Sequence, residues 1–351
     1  MTASKDPTVV IIGAGLTGLL AAQALKQHGF HVLIFDSEPH LNCRPRDWTI
    51  LIHWALPLFS SLLPPSVLAS FDKAIANPHL EFDEWAGTLP MYNGETGDLI
   101  FKSAVPGSRR ITRRGLRDVL AEGLEIQWGR TVTKLDTESS SLEKVKVTLE
   151  GEGGIEEQNQ KGGEDKAKVM RSGFMIGTCI VDYPDQSTKG SLSSTPSIPR
   201  KGPSAVRYLK QSWQGLSPEF QSFIDQTPED DSTHTKAFID EMGTWIAQPF
   251  DNRSGRVTLA GDAAHPMLIL RGQGFQHAVT DVHNYVQALL KVRDSAADRK
   301  EVVGRYDEDM VERGSKAALQ ALREAELAEL AMDETGVERM VMAREGHGRG
   351  V

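Results

Sequence analysis

The sequence predicts an α/β fold built on a parallel sheet and finished by C-terminal helices, and three observations support it. A short apolar run, Val9 to Ile12, passes through a glycine-rich turn into a helix-forming stretch and then a second apolar run, His31 to Phe35. A helical stripe at Leu116, Val119, Leu120 and Leu124 is followed by another short strand candidate, Glu125 to Trp128. The last part of the chain carries two long helical patterns, Ala278 to Val292 and Val302 to Leu330, the latter dense in Ala, Glu, Arg and Leu.

Taken in order, Val9 to Ile12 is uninterrupted and β-rich, the form of a parallel strand covered on both faces. Leu19 to Lys26 consists of good helix formers, and Asp36 ends the second strand. Lys144 to Leu149 alternates with a period of two, as a hairpin strand with one wet face does. Glu150 to Lys168 is a Gly, Glu and Lys mixture almost without apolar residues, so a mobile surface loop is expected over 150–168. Phe174 to Val181 and Thr244 to Pro249 are strand candidates flanking a helical segment around Ala205 to Asp225. The stretch "RVTLAGDAAHPM", residues 256 to 267, reads as a buried strand entering Gly261-Asp262 and a small-residue helix start.

Composition excludes several function classes. A chain of 351 residues is about two domains long on ordinary priors. With 39 Lys+Arg against 48 Asp+Glu the net charge is -9, so a non-specific grip on nucleic acid or anionic membrane is not expected, and the partner is a small molecule. Cys43 and Cys179 stand in no metal-ligand or redox spacing, which argues against a disulfide scaffold or a metal site and for a reducing, cytoplasmic setting. Val9 to Leu25 is uncharged, but three glycines interrupt it and Asp6-Pro7 precedes it. A strand-turn-helix therefore fits it better than a membrane span or signal peptide.

The chemistry begins at Gly13-Ala14-Gly15-Leu16-Thr17-Gly18. Glycines at these three places permit a tight turn, close approach of backbone N–H groups to a pyrophosphate, and tight helix-on-strand packing. Asp36, with Ser37 beside it, falls 23 residues after Gly13, where a carboxylate at the end of the second strand can accept hydrogen bonds from an adenosine ribose. Strand, turn, helix and acid together predict a Rossmann-like nucleotide site. They do not separate FAD from NAD, because that choice needs a second contact far from the ADP half. Asp262 at a strand end could bond ribityl hydroxyls, and a helix N-terminus after it would favour the pyrophosphate.

"GDAAHPM" followed by "RGQGFQHAVTD" resembles the flavin-binding segment of the FAD-dependent aromatic hydroxylases, the single-component flavoprotein monooxygenases, and is closest to their fungal secondary-metabolism members. The resemblance implies FAD contacts from Gly261 and Asp262, Pro266 near the flavin ring, and Gly272-Gln273-Gly274 as backbone donors to the pyrimidine edge. "RPRDWTILIHW" resembles the segment whose arginine, Arg44 or Arg46, contacts the phosphate or adenosine region, and Arg113 matches the arginine of the following helix. His53, Trp54, His265 and Arg271 are the substrate-side candidates. No side chain is assigned as catalyst. The resemblance implies that FAD carries the chemistry, with NADPH and O2 as co-substrates and an aromatic or enolic small molecule as acceptor. It also implies an apolar pocket between Arg46 to Trp54, Phe174 to Val181 and Pro266 to Arg271.

The chain departs from the family by lacking an Asp-Gly element that ends a strand after the hairpin, and the substrate domain is shortened there. Either "FMIGTCIV" is that strand, with Cys179-Ile180 where Asp-Gly would fall, or strand and motif are deleted and the run belongs to the substrate-domain sheet, the favoured reading; Gln276 and Val282 stand where Asn and Ala are usual. This departure leaves two alternatives: a non-redox cyclase or isomerase that retains FAD, or a catalytically impaired relative. The expected organisation is a discontinuous FAD-binding domain (1–75, 106–150, 254–300), a smaller mixed-sheet substrate domain (76–105, 169–253) and a C-terminal helical segment (301–351).

Overall fold

The computed structural model describes residues 8–44, 47–79, 88–105, 107–137, 145–150, 170–181, 202–229 and 235–330. They fall in two compact units, the first within Met1–Gly87, Val105–Lys168 and Ile246–Leu319, the second within Thr88–Ala104, Val169–Trp245 and Gln320–Val351.

The first unit is built on a parallel sheet of β1 (Thr8–Ile12), β2 (His31–Asp36) and β7 (Ile126–Trp128), with β2 in the centre. The register pairs Val9 with Val32 and Ile34 with Ile126. Helix α1 (Leu16–Gln27) packs its buried Leu19, Leu20 and Leu25 into a core that also takes Leu116 and Leu120 of α4 (Arg113–Ala121) and Val279, Val282 and Val286 of α7 (Gly274–Ser295). Truncating one of these leucines to alanine costs about 2–5 kcal/mol. Strands β3 (Thr49–Ile52) and β6 (Arg109–Thr112) form an antiparallel pair, and the short helices α2 (Leu56–Ser61) and α3 (Pro65–Leu68) follow β3. The expected hairpin strand is β9 (Lys146–Leu149), antiparallel to β8 (Val132–Asp136).

The second unit contains the antiparallel pairs β4 (Thr88–Tyr92) with β5 (Leu99–Ala104) and β10 (Met170–Val181) with β11 (Thr235–Thr244), together with α5 (Gly202–Ser212) and α6 (Pro218–Gln226). "FMIGTCIV" is thus part of an antiparallel ladder outside the parallel sheet, where the shortened-domain reading puts it. Helix α8 (Arg299–Leu330) runs from the first unit into the second. The expected loop over 151–168 and the end of the C-terminal segment, 331–351, lie outside the described residues.

Four expectations need correction. Strand β1 is covered on one face only: Val9 and Ile11 pack into the core, whereas Val10 and Ile12 are 36% and 53% exposed. Thr244 to Pro249 is not a strand, because the ladder β11 forms with β10 ends at Thr244. Residues 257–260 form no ladder among the described residues. Side chains hold them instead, as Tyr306 Oη donates to Leu259 O at 2.7 Å and Asp307 receives bonds from Thr258 Oγ1 and Asn252 Nδ2. The helix start after Gly261-Asp262 is only a 3-10 turn, Gly261–Ala263. Pro266 lacks the N–H to continue it and disfavours a helical residue before itself.

Candidate functional site

Each glycine of the first motif meets a separate demand. Gly13 has φ +104°, a left-handed conformation that a side chain would strain. A Cβ on Gly18 would lie 2.0 Å from Gly13 O, so only glycine lets the helix sit this close to the strand end. A Cβ on Gly15 would meet nothing within 4 Å and would project into open space, the opening a phosphate needs for close approach.

That opening is a cleft of about 370 Å³ lined by Gly13, Gly15, Asp36, Ser37, Glu38, Arg44, Arg113, Arg117 and Arg130 among others. Asp36 Oδ2 accepts from Ala14 N at 2.6 Å and its Oδ1 from Glu38 N at 2.7 Å, so the acid locks the turn while keeping lone pairs for further donors. Arg117, 1% exposed, donates from Nε to Ala14 O at 2.9 Å, pairs with Glu38 at 2.7 Å and lies over the Trp128 ring at 5.4 Å. Burial pushes the Glu38 carboxyl up, but the bond and charge of Arg117, with Cys43 and Arg44, outweigh it and hold Glu38 below the usual carboxylate range. Arg44 lines the cleft and pairs with Glu38, whereas Arg46 lies outside the described residues. Sequence reasoning missed Glu38, Arg117 and Arg130. Only Arg117 left a signal, a charge placed within the apolar stripe of α4.

The second motif meets the first directly. Gly261, at φ +61°, packs on Thr17, and a Cβ there would lie 2.5 Å from Thr17 Oγ1. Asp262, next in the turn, is solvent-accessible. The protein crowded around its carboxyl raises its pKa, an effect opposed by the charges of His265 and Arg113. Arg113 also lines the cleft, with its guanidinium 4.8 Å from the Trp48 ring, so it connects the two motifs electrostatically. Burial and the neighbouring Arg117 and Arg44 charges pull its pKa down.

Behind the turn lies a buried ionic cluster that joins the two quoted segments, through His265 and Asp281, to Arg313. Asp281 Oδ2 accepts from Gly261 N and from His265 Nε2, both at 2.7 Å, and Oδ1 accepts from Arg313 at 2.8 Å. Burial pushes the Asp281 carboxyl up, but His265, Arg313 and the Gly261 N–H together hold it below the usual range. His265, a substrate-side expectation, is 1% exposed and engaged by Asp281, which makes it a support of the turn and removes it from the accessible surface.

The remaining candidates sit nearby. His53, Trp54, His277 and His265 form a chain of edge-to-face rings with centroids 5.6–6.2 Å apart. Trp54 is half-exposed, and burial lowers the His53 pKa. Burial and the Arg313 charge bring His277 down to about 4. Gln276, the departure from Asn, accepts from the backbone N–H groups of His53 and Ala55 and donates to Leu51 O, which ties α7 to the end of β3. Gly272, at φ +61°, closes a 3-10 turn that includes Arg271. Gln273 and Gly274 then open α7, and the Gln273 side chain makes no capping hydrogen bond to the first N–H groups of that helix. Pro266 is partly buried after the Gly261–Ala263 turn, and β10 of the expected pocket belongs to the second unit.

A Rossmann-type turn that lines an arginine-rich cleft and contacts a distant Gly-Asp turn forms a candidate dinucleotide-binding site. Residues 11–50 match the NAD(P)-binding Rossmann-like domain and residues 211–321 the FAD binding domain. The chain is similar to the FAD-dependent monooxygenase phnB of Penicillium herquei, 28% identical over 369 residues with 89% of each chain covered. It is also similar to the FAD-dependent monooxygenase cctM of Talaromyces islandicus, 26% identical over 363 residues, with 89% of this chain and 90% of the relative covered. The fold is that of a putative FAD-containing monooxygenase from Photorhabdus luminescens (TM-score 0.71, 17% identity, 93% and 99% covered). It is also that of Klebsiella pneumoniae HpxO solved with FAD and uric acid (TM-score 0.68, 16% identity, 96% and 92% covered). Over most of its length the chain is thus similar to FAD-dependent monooxygenases.

Proposed function

We propose that the protein uses NADPH and O2 to hydroxylate an electron-rich aromatic or enolic carbon of a small molecule, with FAD held between the glycine-rich turn and the Gly261-Asp262 turn. The observation that carries this reading is the packing of Gly261 on Thr17, which joins two motifs from opposite ends of the chain into one site. In this reading Gly13, Ala14, Gly15, Leu16, Thr17 and Gly18 face the pyrophosphate. Asp36 and Ser37 take the adenosine ribose, and Arg44 and Arg113 balance the phosphate charge. Asp262 accepts from the ribityl hydroxyls, Pro266 sits near the ring, and the N–H groups at Gly272, Gln273 and Gly274 stabilise negative charge at its pyrimidine edge.

When bound, FAD supplies the redox chemistry: two electrons from NADPH activate O2, one oxygen atom enters the substrate C–H bond as hydroxyl and the other leaves as water. The protein binds, orients and excludes water. Half-exposed Trp54, with His53 beside it, is the apolar wall proposed to face the substrate, and the low pKa of His277 keeps that wall uncharged at neutral pH.

The reading is tested by oxygen and NADPH consumption of FAD-loaded protein against a panel of phenols and enolic polyketides. Stimulated NADPH oxidation with a product heavier by one oxygen atom is expected. NADPH oxidation that no candidate accelerates, with peroxide as the sole product, contradicts it. Substrate turnover without NADPH or O2 would favour the non-redox alternative, which the absence of a further strand on the parallel sheet among the described residues keeps in play.

A further inference from the structure

The Asp281 cluster has a consequence for the ligand that rests on the FAD reading above. Oδ2 of one fully buried carboxylate receives both the peptide N–H of Gly261, one residue before the Asp262 carboxyl, and the ring N–H of His265, three residues after it. Both ends of the Gly261–His265 turn are therefore pinned to a single oxygen atom on α7. A carboxylate can only accept, so Nε2 of His265 carries the proton and the tautomer is fixed. The ring is confined on its other side as well, because a Cβ on Gly314 of α8 would lie 2.6 Å from His265 Cδ2. Arg313, the residue before Gly314, occupies the second carboxylate oxygen and also bonds Asp309 at 3.0 Å, so the charge of Asp281 is compensated in place.

We propose that Asp281, with His265 and Arg313, is the positioning residue of the Gly261-Asp262 turn, and that it sets where Asp262 meets the polyol part of the flavin ligand without touching that ligand. Asp36, Glu38 and Arg117 brace the glycine-rich turn independently, through bonds that include neither Asp281 nor His265. Loss of the Asp281 cluster therefore weakens the flavin half of the ligand selectively and spares the ADP half.

The test compares equilibrium binding of FAD and of ADP alone to full-length wild type, Asp281→Asn, His265→Leu and His265→Gln, together with thermal melts of the ligand-free proteins. Asp281→Asn and His265→Leu are expected to weaken FAD by about tenfold or more, the scale of one or two lost hydrogen bonds, with ADP affinity within about twofold of wild type. His265→Gln, which keeps a donor near the Nε2 position, is expected to restore most of the FAD affinity. A purely structural role would lower FAD and ADP binding together and track the melting temperature, and that outcome overturns the proposal. So does wild-type FAD affinity in Asp281→Asn. Should Asp281→Asn fail to fold, the His265 pair decides in the same way. Wild-type protein that binds ADP but not FAD would overturn the FAD reading itself, a result distinct from selective loss in the variants.

Discussion

Gly261 shows how much a single missing methyl can report. Its φ is left-handed and its nearest neighbour is the Thr17 side chain, so alanine there meets both a backbone penalty and a clash. Gly261→Ala is expected to destabilise the protein by about 1–3 kcal/mol, and Thr17→Ala in the same chain should recover the steric part of that loss. A double-mutant cycle on chemical denaturation measures it, and strict additivity of the two substitutions would mean that the motifs do not touch. At this scale the sequence was legible where backbone geometry demands a residue type: Gly13, Gly18 and Asp36 occupy the positions that their spacing predicts. It assigned no role to Glu38, Arg117 or Asp281, because a buried ion pair has no spacing rule. Partners such as Arg117 and Glu38, or Asp281 and Arg313, meet only once the fold brings separate elements together.

Among the elements, helix α7 does the most to assemble the site. Its first turn follows Gly272-Gln273, Gln276 ties it to the end of β3, and His277 and Asp281, four residues apart on one face, both meet Arg313. His277 therefore carries a pH signature. Its folded pKa of about 4 lies below the ordinary value of 6.5, so between those limits the unfolded chain binds more protons than the folded one, and stability rises with pH across that window. Wild-type protein should lose stability as pH falls from about 6.5 towards 4. His277→Phe, which retains the ring against Trp54, should flatten that dependence when melts are compared with wild type at each pH. An unchanged slope would place the proton uptake elsewhere. The strands and helices of the first unit were largely legible from apolar runs and helical stripes. Residues 257–260 were not, because an apolar β-rich run looks the same whether a ladder or the side chains of Tyr306 and Asp307 hold it in place.

For the whole molecule, the central proposal is one ligand spanning two motifs. The alignment with the Penicillium relative runs over 369 positions, more than the 351 residues of this chain, so that relative carries residues within the matched span that this chain lacks. In this chain the glycine-rich turn and the Gly261-Asp262 turn remain in contact, while "FMIGTCIV" lies in an antiparallel ladder outside the parallel sheet. The most direct test uses Gly15, which has an ordinary φ and where an added methyl would meet no atom within 4 Å, so that Gly15→Ala leaves the ligand-free fold undisturbed. Titration of FAD into wild type, Gly15→Ala and Asp262→Ala should show tight binding only in wild type. Each single substitution should lower affinity about tenfold or more while the ligand-free melting temperature of Gly15→Ala stays at the wild-type value. FAD affinity unchanged in either variant, or absent in wild type, would contradict the claim that one flavin bridges the two turns.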